Sequence, residues 1–367
     1  MHIVLDTRII ETSTGRYMQR LLENLHDHHA DDGNGYTALV PSKHVDKWQM
    51  RLPNFDVVAA DQKWYTLAEQ WSLYRQLRAL KPDLVHFTMP QQPFLYTGPA
   101  VTTIHDMTLI RHENIDDMNP LVYRFKKFVF LTLVRVVLRR ATQIITPTEF
   151  VRQDLGVFFG KTYLKKITVT YEAGEIPTVS PEPLKKFVGK EYFCFVGNAF
   201  PYKNVKRIIL AHQKLIATHP DTHLLLAGKK DFFYEELEQF VKNESIPNIH
   251  FLGFISDGEK RWMLQNAVGF VTASQSEGFC IPLLEAMYED CPVLASNASC
   301  IPEVAGDAAL YFNPNSTNEL AKLMKRLLEK RNVRTALIEK GRKRVKDFSW
   351  RKMAEQTHSV YTRILES

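Results

Sequence analysis

The sequence predicts an α/β protein of two doubly wound, Rossmann-like domains, and three observations carry that prediction. Short apolar runs alternate with amphipathic stretches at helical spacing, the pattern of parallel strands joined by crossover helices. The alternation breaks at a proline-rich segment, Ile176–Pro183, and then restarts. The apolar runs themselves are too short for helices and too uniformly apolar for a sheet with one wet face.

In the first series, Ile3–Asp6, Tyr36–Val40, Asp83–Phe87, Val101–Ile104 and Gln143–Thr146 read as strands. Helical patterns such as Tyr17–His26 and Leu67–Leu80 fill the intervals. Thr146-Pro147-Thr148-Glu149 reads as a capping box with Pro at the first helical position, opening a helix through Leu155. Proline in the 176–183 segment rejects helix and favours an extended course, so the domain boundary falls there. The expected domains are 1–176 and 177–348, followed by 349–367. After the boundary, Tyr192–Val196, His223–Ala227, Ile249–Phe251, Gly269–Thr272 and Pro292–Ser296 read as strands. Ser256 with Glu259 and Ser316 with Glu319 read as capping boxes. From Ser316 to Ser367 the pattern is helical without a strand.

A chain of 367 residues with 45% hydrophobic content can bury two ordinary α/β cores. Its net charge of +6 comes with no long Lys/Arg block, which argues against nucleic acid and suits a phosphorylated small molecule or an anionic surface. Met1–Asp6 lacks the basic and apolar regions of a secretory signal, and no apolar run reaches the roughly 18 residues of a membrane span. Cys194, Cys280, Cys291 and Cys300 form no C-x-x-C pair, so buried, reduced thiols in a cytoplasmic protein are expected.

The most informative segment is Ser276–Glu285, in which Glu277 and Glu285 flank Gly278 and Pro282. Gly278 lets backbone approach a ligand, and Pro282 suits a first helical turn. Free N–H groups of that turn would face an anion such as a diphosphate. Glu285, about a turn further on, can accept two ribose hydroxyls. The competing reading is an ordinary helix start with a solvated Glu285; position between two buried strands favours the ligand site. Lys203, beyond the turn that contains Asn198, and Lys229, at the end of the His223–Ala227 run, would supply cations to a phosphate.

In the first domain, His105 and Asp106 end a strand, where a His is either structural or cleft-facing, and Asp106 can orient it or bind an acceptor hydroxyl. Gly15 and Arg16 follow the first strand without forming a dinucleotide fingerprint, yet allow a loop to approach a substrate. His26, Asp27, His28 and His29 point in different directions on a helix, which disfavours a metal site, and none is expected. Residues 119–141 carry Arg124, Lys126, Lys127, Arg135, Arg139 and Arg140 among apolar side chains and no acid. Such a helix either lies on an anionic bilayer or is a core helix with basic ends.

On these motifs the chain resembles family 4 of the glycosyltransferases, a retaining family with the GT-B fold. The resemblance spans nearly the whole length and is strongest from Tyr192 to Gly306, in Ser276–Phe279 through Glu285–Met287, Pro292–Ser296 and Ile301–Gly306. It implies two Rossmann-like domains facing across a cleft and a C-terminal helix that crosses back to the first. It implies that Glu285 holds the ribose, Glu277 the donor sugar, the backbone of Gly278, Phe279, Cys280 and Ile281 the sugar and phosphates, Lys203 the diphosphate and Ile255 the base. It places His105 beside the sugar and Gly15 beside the diphosphate. Many members carry Arg where this chain has Asn198, so Lys229 would have to complete the cationic pair.

The implied activity is retaining, metal-independent transfer of a hexosyl group from a GDP- or UDP-sugar to a saccharide or glycolipid hydroxyl. The nucleoside-diphosphate sugar is the co-substrate and no further cofactor is expected. The alternatives are a non-catalytic sugar-nucleotide-binding subunit and a nucleotide-sugar epimerase.

Overall fold

A computed structural model describes residues 1–366 except 13, 14, 65, 67, 112–118, 176 and 177. The strands are β1 (His2–Asp6), β2 (Gly35–Val40), β3 (Asp56–Ala59), β4 (Leu84–Phe87), β5 (Ala100–Thr103), β6 (Gln143–Thr146) and β7 (Ile167–Val169), then β8 (Tyr192–Val196), β9 (His223–Ala227), β10 (Ile249–Gly253), β11 (Gly269–Thr272), β12 (Val293–Ser296) and β13 (Ala309–Phe312). Among the described residues they form two sheets, ordered β3-β2-β1-β4-β5-β6-β7 and β10-β9-β8-β11-β12-β13. Every pairing is parallel. The protein is an α/β protein of doubly wound sheets, as its strand–helix alternation predicts.

The chain divides into two compact units: residues 1–110, 121–172 and 349–367 in the first, and 111–120 with 173–348 in the second. In each sheet the strand order reverses once, between β1 and β4 and between β8 and β11. At such a reversal the crossover helices depart to opposite faces and leave the strand ends uncovered.

Packing explains which helices form. Helix Arg16–His29 buries Tyr17, Met18, Leu21, Leu22 and Leu25, one stripe at helical spacing, against Ile3 and Leu5 of β1. The last helix, Trp350–Leu365, begins at Ser349, whose hydroxyl accepts from the N–H of Lys352, and buries Met353, Ala354, Thr357, Val360 and Tyr361. It belongs to the first unit. Inside that core, Tyr361 hydrogen-bonds His86 Nδ1 at 2.5 Å, while His86 Nε2 lies 2.8 Å from Thr103 Oγ1. Burial, and then the nearby charge of His105, push His86 down to about 3, so it is neutral.

Several local expectations need correction. Thr148, not Thr146, caps the helix Glu149–Phe159, because Thr146 is already committed to β6 and Pro147 precedes the cap. Ser316 caps its helix, but Glu319 accepts from the N–H of Asn313 instead of closing a box. Ser256 and Glu259 do form the full reciprocal box. The stretch expected as one helix from Leu67 contains a π-helical turn, Glu69–Leu73, before the α-helix Tyr74–Leu80. Strands β3, β7 and β13 were not anticipated; each is short, lies at a sheet edge and is only partly buried, so its apolar pattern is weak. The border between the units lies at Glu172 and Ala173, ahead of the proline-rich segment. Ile176 and Pro177, where the boundary was expected, lie outside the described residues.

Tyr361→Phe keeps the ring but leaves His86 short of a buried partner. It is expected to cost about 1–2 kcal/mol, measured as a lower urea midpoint with an unchanged slope; an unaltered midpoint would show that this bond contributes nothing to holding the C-terminal helix.

Candidate functional site

In the second unit the chain leaves β11 and reaches Glu277, Gly278, Phe279 and Cys280 before helix Ile281–Tyr288. Cys280 adopts φ 76° and ψ 59°, a left-handed conformation that a non-glycine residue holds only at a cost of order 1–2 kcal/mol. The surroundings enforce it: Cys280 is buried, and Phe279 packs edge-on against Phe348 at 5.5 Å. Pro282 sits in the first turn, and among the described residues no side chain caps this helix. Its N-terminal dipole is therefore available to an anion.

The loop after β8 is tied to this segment. Asn204, also left-handed at φ 57°, donates from Nδ2 to the carbonyls of Ala273 (3.2 Å) and Pro314 (2.7 Å). The N–H of Gln275 donates to the carbonyl of Tyr202 at 2.7 Å. These bonds set Lys203 against Glu277, with Nζ 2.7 and 2.8 Å from the two carboxylate oxygens. Burial alone would push the lysine pKa down, but Glu277 outweighs it and the net direction is up. Burial, and then the charge of Glu277, push the Cys280 thiol up to about 12, so it is no nucleophile at neutral pH.

Glu285 does not stand free for a ribose. It is 4% exposed, and its Oε1 accepts from Lys260 Nζ at 3.1 Å. Lys260 comes from helix Asp257–Asn266, which the Ser256 capping box starts. Each glutamate of the motif thus has a lysine partner. The Lys260 partnership was not legible, since nothing local links positions 260 and 285.

The remaining expected donor residues sit at strand ends. Asn198 follows β8, and its Oδ1 is buried with no hydrogen-bond partner among the described residues. Lys229 is exposed after β9. It follows Gly228, where a Cβ would stand 1.9 Å from the carbonyl oxygen of Gly197, so only glycine fits. Ile255 is half-buried beyond β10, next to Phe254, which is 88% exposed.

In the first unit, His105 follows β5 and is held at both nitrogens. Nδ1 lies 3.3 Å from Glu172 Oε1, and Nε2 lies 3.0 Å from the carbonyl oxygen of Thr88. Both partners accept, and only imidazolium has two N–H donors. Burial pulls the His105 pKa down, but the bond and charge of Glu172, the Thr88 carbonyl and Asp106 outweigh it, so the net shift is upward. Tyr17 stands edge-on to the ring at 4.8 Å. Asp106 does not orient His105. Its Oδ1 accepts from the N–H of Thr108 at 2.9 Å, and Glu172, unforeseen because it follows the three-residue β7, takes the orienting part.

Gly15 is required by its own turn, because a Cβ there would sit 2.0 Å from the Ile10 carbonyl oxygen. Arg16 begins the helix that follows, half-buried. Ser13 and Thr14 lie outside the described residues. The sequence reading also missed a buried cluster at the end of β1, where Arg8 Nη2 lies 2.8 Å from Asp6 and 2.9 Å from Glu69. The four cysteines are all buried and unpaired.

Comparison with known proteins places the chain. Residues 178–344 match the family model described as glycosyl transferases group 1, and residues 16–172 match that of glycosyltransferase family 4. The chain belongs to the group 1 glycosyltransferases of GT-B fold. Among the relatives of this glycosyltransferase, the O-antigen chain mannosyltransferase B of Escherichia coli is 27% identical over 287 residues, covering 73% of this chain and 74% of that protein. The MMP alpha-(1->4)-mannosyltransferase of Mycolicibacterium hassiacum is 26% identical over 278 residues, covering 73% of this chain and 66% of that one. A sucrose-phosphate synthase of Thermosynechococcus elongatus superposes with a TM-score of 0.77 at 16% identity over 100% of this chain and 99% of its own. Anabaena HepE, solved with UDP and glucose, gives 0.76 at 16% identity over 99% and 100%.

The raised pKa of His105 has a measurable sign. A group whose folded pKa exceeds its unfolded value, roughly 6.5, stabilises fully below that value and loses the contribution as pH rises through the folded pKa. NMR titration of the His105 ring should give a midpoint above 6.5, and Glu172→Gln should bring it down. A wild-type midpoint at or below the ordinary value would refute the double-donor geometry.

Proposed function

We propose that this glycosyltransferase moves a hexosyl group, with retention of configuration, from a nucleoside-diphosphate sugar to a saccharide or lipid-linked hydroxyl. The relatives named mannosyltransferases favour a mannosyl donor and a place in polysaccharide or glycoconjugate synthesis. The observation that carries this reading is the Lys203–Glu277 pair beside the uncapped start of helix Ile281–Tyr288. In this reading the helix N-terminus and Lys203 bind the diphosphate. Glu277 then exchanges part of its hold on the ammonium for hydroxyls of the donor sugar. As the sugar–phosphate bond breaks, negative charge grows on the leaving oxygen, where fixed dipoles and a cation are most effective.

The acceptor hydroxyl attacks the anomeric carbon on the face the phosphate leaves, and its proton passes to a phosphate oxygen. No protein base and no metal are needed for that step. Asn198, through its side-chain amide N–H, and Lys229 would complete the phosphate side, and Glu285 would share the ribose with Lys260. Gly278 through Ile281 would line the sugar and diphosphate, with Ile255 against the base. His105, as a cation in the first unit, suits an electrostatic part near the transferred sugar, with Gly15 beside the diphosphate and Arg16 and Asp106 on the acceptor side.

The reading is tested with purified chain, GDP-mannose and a panel of GDP-, UDP- and ADP-sugars, following the anomeric configuration of the product by NMR in the presence of EDTA. Retention is expected, with kcat falling on the order of a hundredfold or more in Glu277→Gln. Inversion, or an unchanged rate in that variant, rejects the assignment; a product formed from donor alone points to an epimerase.

We propose further that the protein works at an anionic membrane surface. Helix Pro120–Arg140 buries Phe130, Leu133, Val134, Val137 and Leu138 but exposes Leu121 (73%), Phe125 (68%) and Phe128 (63%). The exposed three recur at i, i+4 and i+7 and form one stripe, beside the exposed Arg124. The core-helix reading thus suits the second half and the surface reading the first. No helix among the described residues is long and apolar enough to cross a membrane. Flotation with liposomes containing anionic lipid should recover the protein, weakly at high salt, and Phe125→Ser with Phe128→Ser should abolish it. Equal recovery on purely zwitterionic vesicles would rule the surface out.

A further inference from the structure

Within the first unit, helix Trp350–Leu365 brings His358 to the end of helix Arg16–His29. The imidazole of His358 stacks on that of His29, with centroids 3.8 Å apart and planes within 10°. Asp32 lies just beyond the helix end, and its Oδ2 is 2.6 Å from His358 Nε2. One donor atom from each of His29, Asp32 and His358 falls within 4.8 Å of the others. We propose that these three side chains bind a divalent transition-metal ion of the zinc class and so clasp the C-terminal helix to the first unit.

The donor set selects the ligand. Two imidazole nitrogens and one carboxylate oxygen suit Zn²⁺, Co²⁺ or Ni²⁺, whereas Mg²⁺ and Ca²⁺ take oxygen. Three protein ligands leave the fourth tetrahedral position to water. An open depression lined by His26, His28, Asp31 and Asn54 adjoins Asp32 and gives access. Asp32 is already held by neighbours: the hydroxyl of Tyr36 donates to Oδ2 at 2.7 Å and the N–H of Asn34 to Oδ1 at 2.8 Å. Such bonds orient a ligating carboxylate. His29 Nε2 is buried and has no hydrogen-bond partner among the described residues, which is unusual for a polar atom removed from water.

A metal bond lies in the plane of its imidazole, so binding turns the two stacked rings apart. The histidine run on helix Arg16–His29 cannot make this site alone, because adjacent helical positions diverge. Closure depends on a residue 326 positions from Asp32.

The experiment uses the untagged full chain, titrated with Co²⁺ and then Zn²⁺. One Co²⁺ per chain should bind with visible d–d absorption and be displaced by Zn²⁺. At about a hundredfold excess over Kd, Zn²⁺ should raise the Tm of the first unit by roughly 5–10 °C. His29→Gln and His358→Gln should each weaken binding at least about tenfold, and His28→Gln should leave it unchanged. Should His358→Gln loosen its helix, seen in the metal-free Tm, Asp32→Asn, a substitution outside that helix, provides the same test and should weaken binding likewise. Undiminished binding in both Asp32→Asn and His29→Gln, loss of binding in His28→Gln, or no stoichiometric Co²⁺ binding up to millimolar concentration overturns the site.

Discussion

All described strands run parallel and the central ones are buried along their length, so a polar side chain within a central strand has little water to turn to. Polar groups with chemistry to offer therefore collect beyond the carboxyl ends of the strands. In the first unit these are Arg8 after β1, Thr88 after β4 and His105 after β5, with Asp6 as the last residue of β1. In the second they are Asn198 and Lys203 after β8, Lys229 after β9 and Glu277 after β11. The reversals of strand order at β1/β4 and β8/β11 are where such ends are least covered.

Charge pairing follows from the same constraint. Lys203 with Glu277, Lys260 with Glu285, and Arg8 with Asp6 and Glu69 are each largely withdrawn from solvent. A charge so placed has to be matched, because an unmatched one costs several kcal/mol. Each pair holds its carboxylate in position beside a cation. Two bare glutamates would repel a diphosphate; two glutamates that each carry a lysine do not.

The first unit depends on its last helix as much as on its sheet. Tyr361 enters the core beside His86, and His358 reaches the end of helix Arg16–His29. The final residues of the chain thus lie among groups from the first hundred. His105 adjoins the same network through Tyr17, which contacts both its ring and Thr103.

Periodicity in the sequence was enough to determine the α/β class, most strands, the helix opened by Ser256 and the position of the Glu277–Glu285 motif. Those features are local, set by the alternation of apolar runs and by capping chemistry within a few residues. Short strands at a sheet edge, such as β7, are only partly buried and show too weak an apolar pattern to be recognised, and with β7 went Glu172. Tertiary structure alone decided the partners: Lys203 with Glu277, Lys260 with Glu285, Glu172 rather than Asp106 with His105, and His358 with His29. Each of those pairs joins residues on separate elements, and which strand end faces which helix is settled by packing rather than by any short-range preference of the chain.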